Sequence, residues 1–439
     1  MGDDPGADAA GVVTAAWRAE SARLVGALTR MTRDVGLAED LAQDALVAAL
    51  EQWPRTGVPD NPGAWLMTTA KRRGVDHVRR AETHRRKLAE LELQLGRDSS
   101  ADGREAAGVP DLDDQVDHIE DDVLRLIFLT CHPSLTAESR AALTLRLVGG
   151  LTTAEIARGF LVAESAMGQR ISRAKRTLAE HRADFELPTG EERTRRLDDV
   201  MAVIYLVFNE GYTATAGEDW MRPDLVDEAT RLARMLAALV PDEPEVLGLQ
   251  ALLELQGSRT AARLDPDGSP VLLEAQDRGR WDRLRIRRGL SALARAEQLA
   301  ARGAPVGTYV LQAAIAAQHA RADRAEDTDW RRIAGLYDLL AQAAPGPVVE
   351  VNRAVAHGRA DGPDAGLEIL AGIDPGALGD SPLVPSVRGD LFERAGRHAE
   401  AAESFAAAAC GTRNEGERTV LLTRSDHNRS LAAPPRGDT

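Results

Sequence analysis

Apolar positions between Leu143 and Leu178 alternate between helical and broken spacing, in the stretch LTLRLVGGLTTAEIARGFLVAESAMGQRISRAKRTL. Gly149-Gly150 ends the first apolar run. Thr152 stands three residues before Glu155, the spacing of a capping box, which predicts a short helix from Thr153 carrying Ile156 and Phe160. A turn is expected at Leu161-Val162 and a second helix from about Ser165. Met167, Ile171, Ala174 and Leu178 then recur at i, i+4, i+7 and i+11, one buried face at about 100° per residue. The opposite face shows Ser165, Gln169, Ser172, Arg173 and Arg176, with no acid until Glu180. A helix that enters a DNA groove needs such a face, because its outer residues meet phosphates and base edges. An ordinary helical hairpin with a solvated basic face has the same pattern, so spacing alone does not choose between them.

The chain before this stretch reads as two further helical segments. Residues 1–11 are expected to form a disordered tail, with helices from Val12 to Trp53. The clearest is Leu37 to Trp53, whose buried stripe is Leu41, Ala45, Ala48 and Ala49. Asp40, Gln43 and Asp44 share another face at i, i+3 and i+4. Pro54 to Pro62 is expected to be a loop, and Asn61-Pro62 supplies N-cap and first helical residue for GAWLMTTAKRRGVDHVRR. Lys71, Arg72, Arg73, Arg79, Arg80, Arg85, Arg86, Lys87 and Arg97 outnumber the acids in that region. Arginines beside Trp65 suit a surface that binds phosphates and unstacked bases, although a solvated helix looks similar.

Between Asp98 and Asp122 the charge reverses, with ten acids against Arg104 alone and Ser, Gly and Pro interleaved. That composition predicts a flexible acidic linker over 98–121, separating a module at 12–97 from one at 122–187. Helices are expected at Val123 to Cys131 and Leu135 to Val148, and a second boundary near Pro188-Thr189-Gly190. Residues 190–439 read as helical with short loops, except for the run Val271-Leu272-Leu273, which is read as a short strand. Gly396, Ala401, Phe405 and Ala408 carry the small-residue and aromatic pattern of a tetratricopeptide helix pair. A weaker copy at Gly362, Gly366 and Leu370 lies about 34 residues earlier, the period of that repeat.

Composition narrows the class without deciding it. Aromatics are 4% of the 439 residues and hydrophobic residues 44%, which favours an all-α chain. No apolar run is long enough to span a membrane, and the acidic N-terminus lacks a signal-peptide core. Cys131 and Cys410 match no metal spacing, so a cytoplasmic chain with free thiols and no metal or other cofactor is expected. The net charge of −15 argues against a wholly DNA-coating protein but not against local basic modules.

Three passages in order resemble bacterial sigma factors of the sigma-70 family, extracytoplasmic-function type. AEDLAQDALVAAL at 38–50 is similar to region 2.2, PGAWLMTTAKRRGVDHVRR at 62–80 to regions 2.3 and 2.4, and residues 143–178 to region 4. The resemblance covers about residues 12 to 182. It implies that Asp40, Gln43 and Asp44 bind the β′ clamp of core RNA polymerase, with the β flap as a further partner. It implies that Trp65, Arg72, Arg73, Asp76, Arg79 and Arg80 melt and read a −10 element. Ser165, Gln169, Arg170, Ser172, Arg173, Lys175 and Arg176 would read a −35 element. The chain departs from many members at Arg72, where they carry Asn, and at Leu161, where they carry Gly. Residues 190–439 resemble the long extension of one subgroup, through FNEGY at 208–212, TDW at 328–330 and NRAVA at 352–356. That extension is expected to bind the sigma modules or a protein partner and set their activity.

Two other classes compete. An enzyme could use Asn209-Glu210, Gln276-Asp277-Arg278 and Trp281-Asp282 as a polar pocket, but the nine histidines are scattered and no nucleophile, phosphate loop or metal spacing accompanies them. Asp277 and Arg278 read better as an ion pair or a helix cap. A helix-turn-helix regulator with a ligand-sensing or partner-binding C-terminal domain explains residues 143–178 but not 38–97.

Overall fold

The structure, a computed structural model, describes residues 5–94, 119–181, 183–212, 221–265, 271–374, 377–379, 381–412 and 415–432. Among them regular structure is helical; the exception is a single bridge residue at Leu264. Contacts divide the chain into two compact units, Met1–Leu206 and Val207–Thr439.

The first unit begins with α1 (Pro5–Thr32), so the helix starts well before the expected end of a disordered tail. From Ala22 to Thr29 only Arg23 is exposed. A helix buried nearly all round must be covered on several sides, and α1 packs on α2 (Val35–Thr56), α3 (Pro62–Gln94) and α4 (Ile119–Thr130). Asp34 caps α2 by accepting from the backbone N–H of Gly36 at 2.8 Å and Leu37 at 3.0 Å. The helix runs through Pro54 to Thr56 rather than stopping before it. A proline in the last turn removes one backbone donor there and leaves the rest of the ladder intact. Asn61 caps α3 as expected, its Oδ1 accepting from the Ala64 N–H at 3.0 Å.

The acidic linker lies mostly outside the described residues; its end, Ile119 to Asp121, is the first turn of α4. Then come α5 (Ala137–Leu147), α6 (Thr153–Gly159) and α7 (Glu164–Glu180). The capping box forms in full: Thr152 Oγ1 accepts from the Glu155 N–H and Glu155 from the Thr152 N–H. Leu161 makes the turn with φ at +50°. That is the left-handed conformation which costs a side-chain-bearing residue about 1–2 kcal/mol. Glycine in its place would adopt it freely.

α8 (Gly190–Tyr212) begins at the expected boundary, but most of it, up to Leu206, belongs to the first unit. Arg196 donates to the Phe128 carbonyl at 2.5 Å, and Asp199 pairs with Arg140 at 3.0 Å. The unit therefore ends at Leu206, not before Gly190.

The second unit follows with α9 (Pro223–Leu239), α10 (Pro244–Gly257), α11 (Arg283–Ala301), α12 (Thr308–Arg321) and α13 (Trp330–Ala343). α10 is its centre, buried nearly all round and packed by α9, α11 and α12. The expected strand is absent: Leu272 is extended, and Leu273–Ala275 is a 3₁₀ turn. Three residues of apolar sequence do not distinguish strand from turn. The helix pairs expected from the repeat are α14 (Pro347–Ala360) with α15 (Pro363–Ala371), and α16 (Leu383–Arg394) with α17 (His398–Gly411). α18 (Glu415–Ala432) covers α17. Gly362 and Gly396 make the two equivalent turns, with φ at +107° and +71°.

Two helical glycines test this packing in opposite directions. A Cβ on Gly366 would lie 2.5 Å from the Ala354 carbonyl, whereas one on Gly335 meets nothing within 4 Å. Gly366→Ala should lower the thermal midpoint of the second unit, by the equivalent of about 1–3 kcal/mol. Gly335→Ala should raise it, by up to about 1 kcal/mol. A raised midpoint for Gly366→Ala would contradict the close approach of α14 and α15, and a lowered one for Gly335→Ala the open space beside α13.

Candidate nucleic-acid interface

α7 presents the face that the period predicts. Met167, Ile171, Ala174 and Leu178 are buried, and Ser165, Gln169, Ser172, Arg173 and Arg176 are exposed. Arg170 is half-buried at the edge. Gly168 lies close to Thr153 where α6 crosses α7. The exposed row can offer hydroxyl, amide and guanidinium groups to a groove. Lys175 stands apart: its ammonium is ion-paired with the buried carboxylate of Glu39 on α2.

On α3, Arg72, Arg73, Asp76 and Arg79 are exposed; the side chain of Arg80 lies outside the described residues. Trp65 is half-buried, edge-on to Trp53 with ring centroids 5.5 Å apart, so part of its ring is already packed. Burial and then the neighbouring Arg30 hold the Lys71 ammonium below its ordinary pKa. On α2, Asp40 and Asp44 are exposed and Gln43 half-buried, in line with Val47, itself 50% exposed. The α2 and α3 groups are not independent: Arg73 donates to the Asp44 carbonyl at 2.9 Å and pairs with its carboxylate at 3.3 Å.

Glu39 was not a candidate from sequence. It sits beside Ala38, Leu41 and Ala42 on the buried side of α2, and an acid inside an apolar stripe is the local signal. Its partners, Arg146 and Lys175, are far along the chain and give none.

Four of the residues weighed for an enzyme pocket, Glu210, Asp277, Arg278 and Asp282, have structural partners. Glu210 pairs with Arg222 at 2.5 Å, Asp282 caps α11, and Asp277 accepts from the Gly279 N–H. Arg278 is buried and donates to the carbonyls of His319 at 2.5 Å and Ala322 at 2.8 Å, closing the C-terminal end of α12. Among the described residues no group of three or more His, Cys, Asp or Glu is placed to hold a metal ion. None of their helices is long and apolar enough to cross a membrane.

Comparison with known proteins places names on these modules. Residues 16–84 match the family described as Sigma-70 region 2, residues 125–178 Sigma-70, region 4, and residues 196–297 a family of unknown function, DUF6596. An uncharacterized protein, R00370, of Rhizobium meliloti (strain 1021) is 44% identical over 413 residues, 94% of both chains. The probable ECF RNA polymerase sigma factor SigI of Mycobacterium tuberculosis (strain ATCC 25618 / H37Rv) is 30% identical over 181 residues, 41% of this chain and 59% of the relative. The ECF RNA polymerase sigma factor SigK of Mycobacterium sp. (strain KMS) is 33% identical over 143 residues, 30% of this chain and 64% of the relative. No solved structure matches.

The polar cluster of the second unit makes a pH prediction. Burial, then the charges of Arg259 and Arg278, depress the His319 imidazole to about 4. In the unfolded chain it titrates near its ordinary value of about 6.5. Between those values the unfolded chain binds the extra proton, so stability is full above pH ~6.5 and is lost as pH falls toward ~4. His319→Gln should flatten that part of the midpoint-against-pH curve. An unchanged slope would assign it to other groups.

Proposed function

The chain belongs to the sigma-70 family of RNA polymerase sigma factors, extracytoplasmic-function type with a C-terminal extension, and we propose that its region 2 and region 4 modules divide the work as follows. α7 reads the −35 element through Ser165, Gln169, Arg170, Ser172, Arg173 and Arg176. α3 melts and reads the −10 element through Trp65, Arg72, Arg73, Asp76, Arg79 and Arg80. The outer face of α2, with Asp40, Gln43 and Asp44, grips the β′ clamp of core polymerase, and region 4 meets the β flap. The chain acts in the cytoplasm on promoter DNA and adds no chemistry of its own. The observation that carries this reading is the exposed polar and basic row of α7 over a wholly buried apolar row, in one unit with an acidic α2 face and a basic α3. A stand-alone regulator has no use for α2 and α3, and residues 16–84 match region 2.

Run-off transcription with core polymerase tests the assignment. Arg173→Ala should weaken promoter binding by about 1–3 kcal/mol and relax preference at one position if it reads a base. Asp40→Arg should abolish co-purification with core while leaving helicity unchanged, because it reverses charge on a solvent-facing residue. Asp40 is the cleaner target, since Asp44 also holds Arg73. Wild-type promoter binding by the first variant, or normal core binding by the second, would remove that residue from its role.

We further propose that the second unit regulates the first, either by inhibiting it or by holding it competent. Helix pairs of the tetratricopeptide kind bind partners rather than catalyse, and a tethered domain acts at high effective concentration. The truncation that tests this should end at Leu206, because Arg196 and Asp199 of α8 belong to the first unit. Residues 1–206 should differ from the full chain by several-fold in run-off yield on at least one promoter. Equal yields throughout would leave the second unit as an independent scaffold.

A further inference from the structure

In the second unit one carboxylate is held by arginines of two successive helix pairs. Glu274, on the 3₁₀ turn Leu273–Ala275, pairs with Arg359 of α14 and with Arg394 of α16 at 3.0 Å. Both arginines stand in the last turn of the first helix of a pair. The acid comes from a loop 120 residues before Arg394. That loop is anchored on its own side: the Val271 N–H donates to the Arg263 carbonyl at 2.8 Å, and Gln276 Nε2 to the Val271 carbonyl at 3.1 Å. The turn that carries Glu274 has no buried residue.

The arginines are positioned by groups other than this acid. The Arg359 guanidinium lies 4.8 Å from the centre of the Trp330 ring, and His319 meets that ring edge-on at 5.3 Å. Arg394 Nε donates to Asp390 at 2.8 Å. Ring and acid thus orient two planar forks whose N–H groups suit a carboxylate. Burial and then the charge of Arg394 hold the Arg359 guanidinium below its ordinary pKa. An anion between two like charges relieves their repulsion. A cavity of about 600 Å³ opens beside them, lined by Glu274, Glu326, Trp330, Arg359, Gly362 and Arg394. Glu326 is exposed and pairs with Arg324 at 3.7 Å.

The Arg359 side chain is 14% exposed, whereas that of Glu274 is 47% exposed. The cation is built in and the acid is laid on from outside. An ion pair at the surface stabilises little, so a simple tie between loop and helices would not need this asymmetry. We propose that Arg359 and Arg394, backed by the Trp330 ring, form a receptor for an acidic peptide of a partner protein, and that Glu274 is its internal occupant, displaced when the peptide binds. The seated group is itself a carboxylate borne by a peptide, and the adjoining cavity leaves room for the residues that flank one. The occupant lies within residues 196–297, which match DUF6596, and both arginines lie beyond them. The proposal rests on the reading of the second unit as a partner-binding module, and names the chemistry of the partner.

Binding of a fluorescein-labelled hexaglutamate peptide to the full chain, read by anisotropy, tests the receptor. Tethered Glu274 competes at roughly millimolar effective concentration, so the wild type should bind weakly. Glu274→Ala should tighten binding by about tenfold or more, because apparent affinity follows the fraction of open sites. Adding Arg394→Gln or Arg359→Gln should abolish that gain. Arg394 is the safer change, its side chain being 33% exposed, and unchanged helicity verifies the fold. The basic faces of α3 and α7 also attract a polyanion. A diazirine-bearing form of the peptide should therefore cross-link to α13, α14 or α16 in the Glu274→Ala chain. Equal affinity of wild type and Glu274→Ala overturns the receptor. So does a gain that survives Arg394→Gln, or cross-linking confined to the first unit. Free glutarate competing as well as unlabelled peptide would overturn the peptide assignment. Equal run-off yields from residues 1–206 and the full chain would remove regulation alone; the affinity gain would still establish the site.

Discussion

A carboxylate inside an apolar helix face is the constraint on which the first unit depends. Removing such a group from water costs several kcal/mol unless cations meet it, and α2 offers Glu39 none of its own. Arg146 and Lys175 come from helices more than a hundred residues away. Burial of Glu39 therefore makes sense only while regions 2 and 4 are together. The same dependence appears in α1, whose stretch from Ala22 to Thr29 is buried nearly all round because α2, α3 and α4 all pack on the helix. Two family regions that are separate in sequence, at 16–84 and 125–178, form one compact unit for this reason.

In the second unit arginine does the structural work that acids and amides do elsewhere. Arg263 stacks 3.7 Å from the Tyr212 ring centre while donating to that residue's carbonyl at the end of α8. Arg278 stacks on Trp281 and closes the end of α12, and Arg359 stacks on Trp330. A guanidinium can satisfy carbonyls along its edge and an aromatic ring on its face, which a lysine ammonium cannot do together. With three lysines in the whole chain, this chemistry falls to arginine. Polar residues that look like a pocket in the sequence are the joints between helices.

What could be read from sequence was what local spacing decides. The capping box at Thr152, the cap at Asn61 and all four buried residues of α7 follow from neighbours within one or two turns. The helix pairs at Gly362 and Gly396 follow from a repeated period. The misreadings came where packing outweighed local preference. An acidic, proline-containing start did not prevent α1 from beginning at Pro5, and Pro54 did not end α2. Val271 to Leu273 had the composition of a strand but no length to form one. The end of the first unit inside α8 had no composition signal, because it is set by Arg196 and Asp199 reaching back to Phe128 and Arg140.

Lys175 and Glu39 show the same limit at the level of single residues. Lys175 lies four residues after Ile171 and three before Leu178, on the edge of the row that the helical period buries. Charge alone groups it with Arg173 and Arg176; angle groups it with the core. On α2 the step from Glu39 to Asp40 is also about 100°, and it separates an inward carboxylate from an outward one.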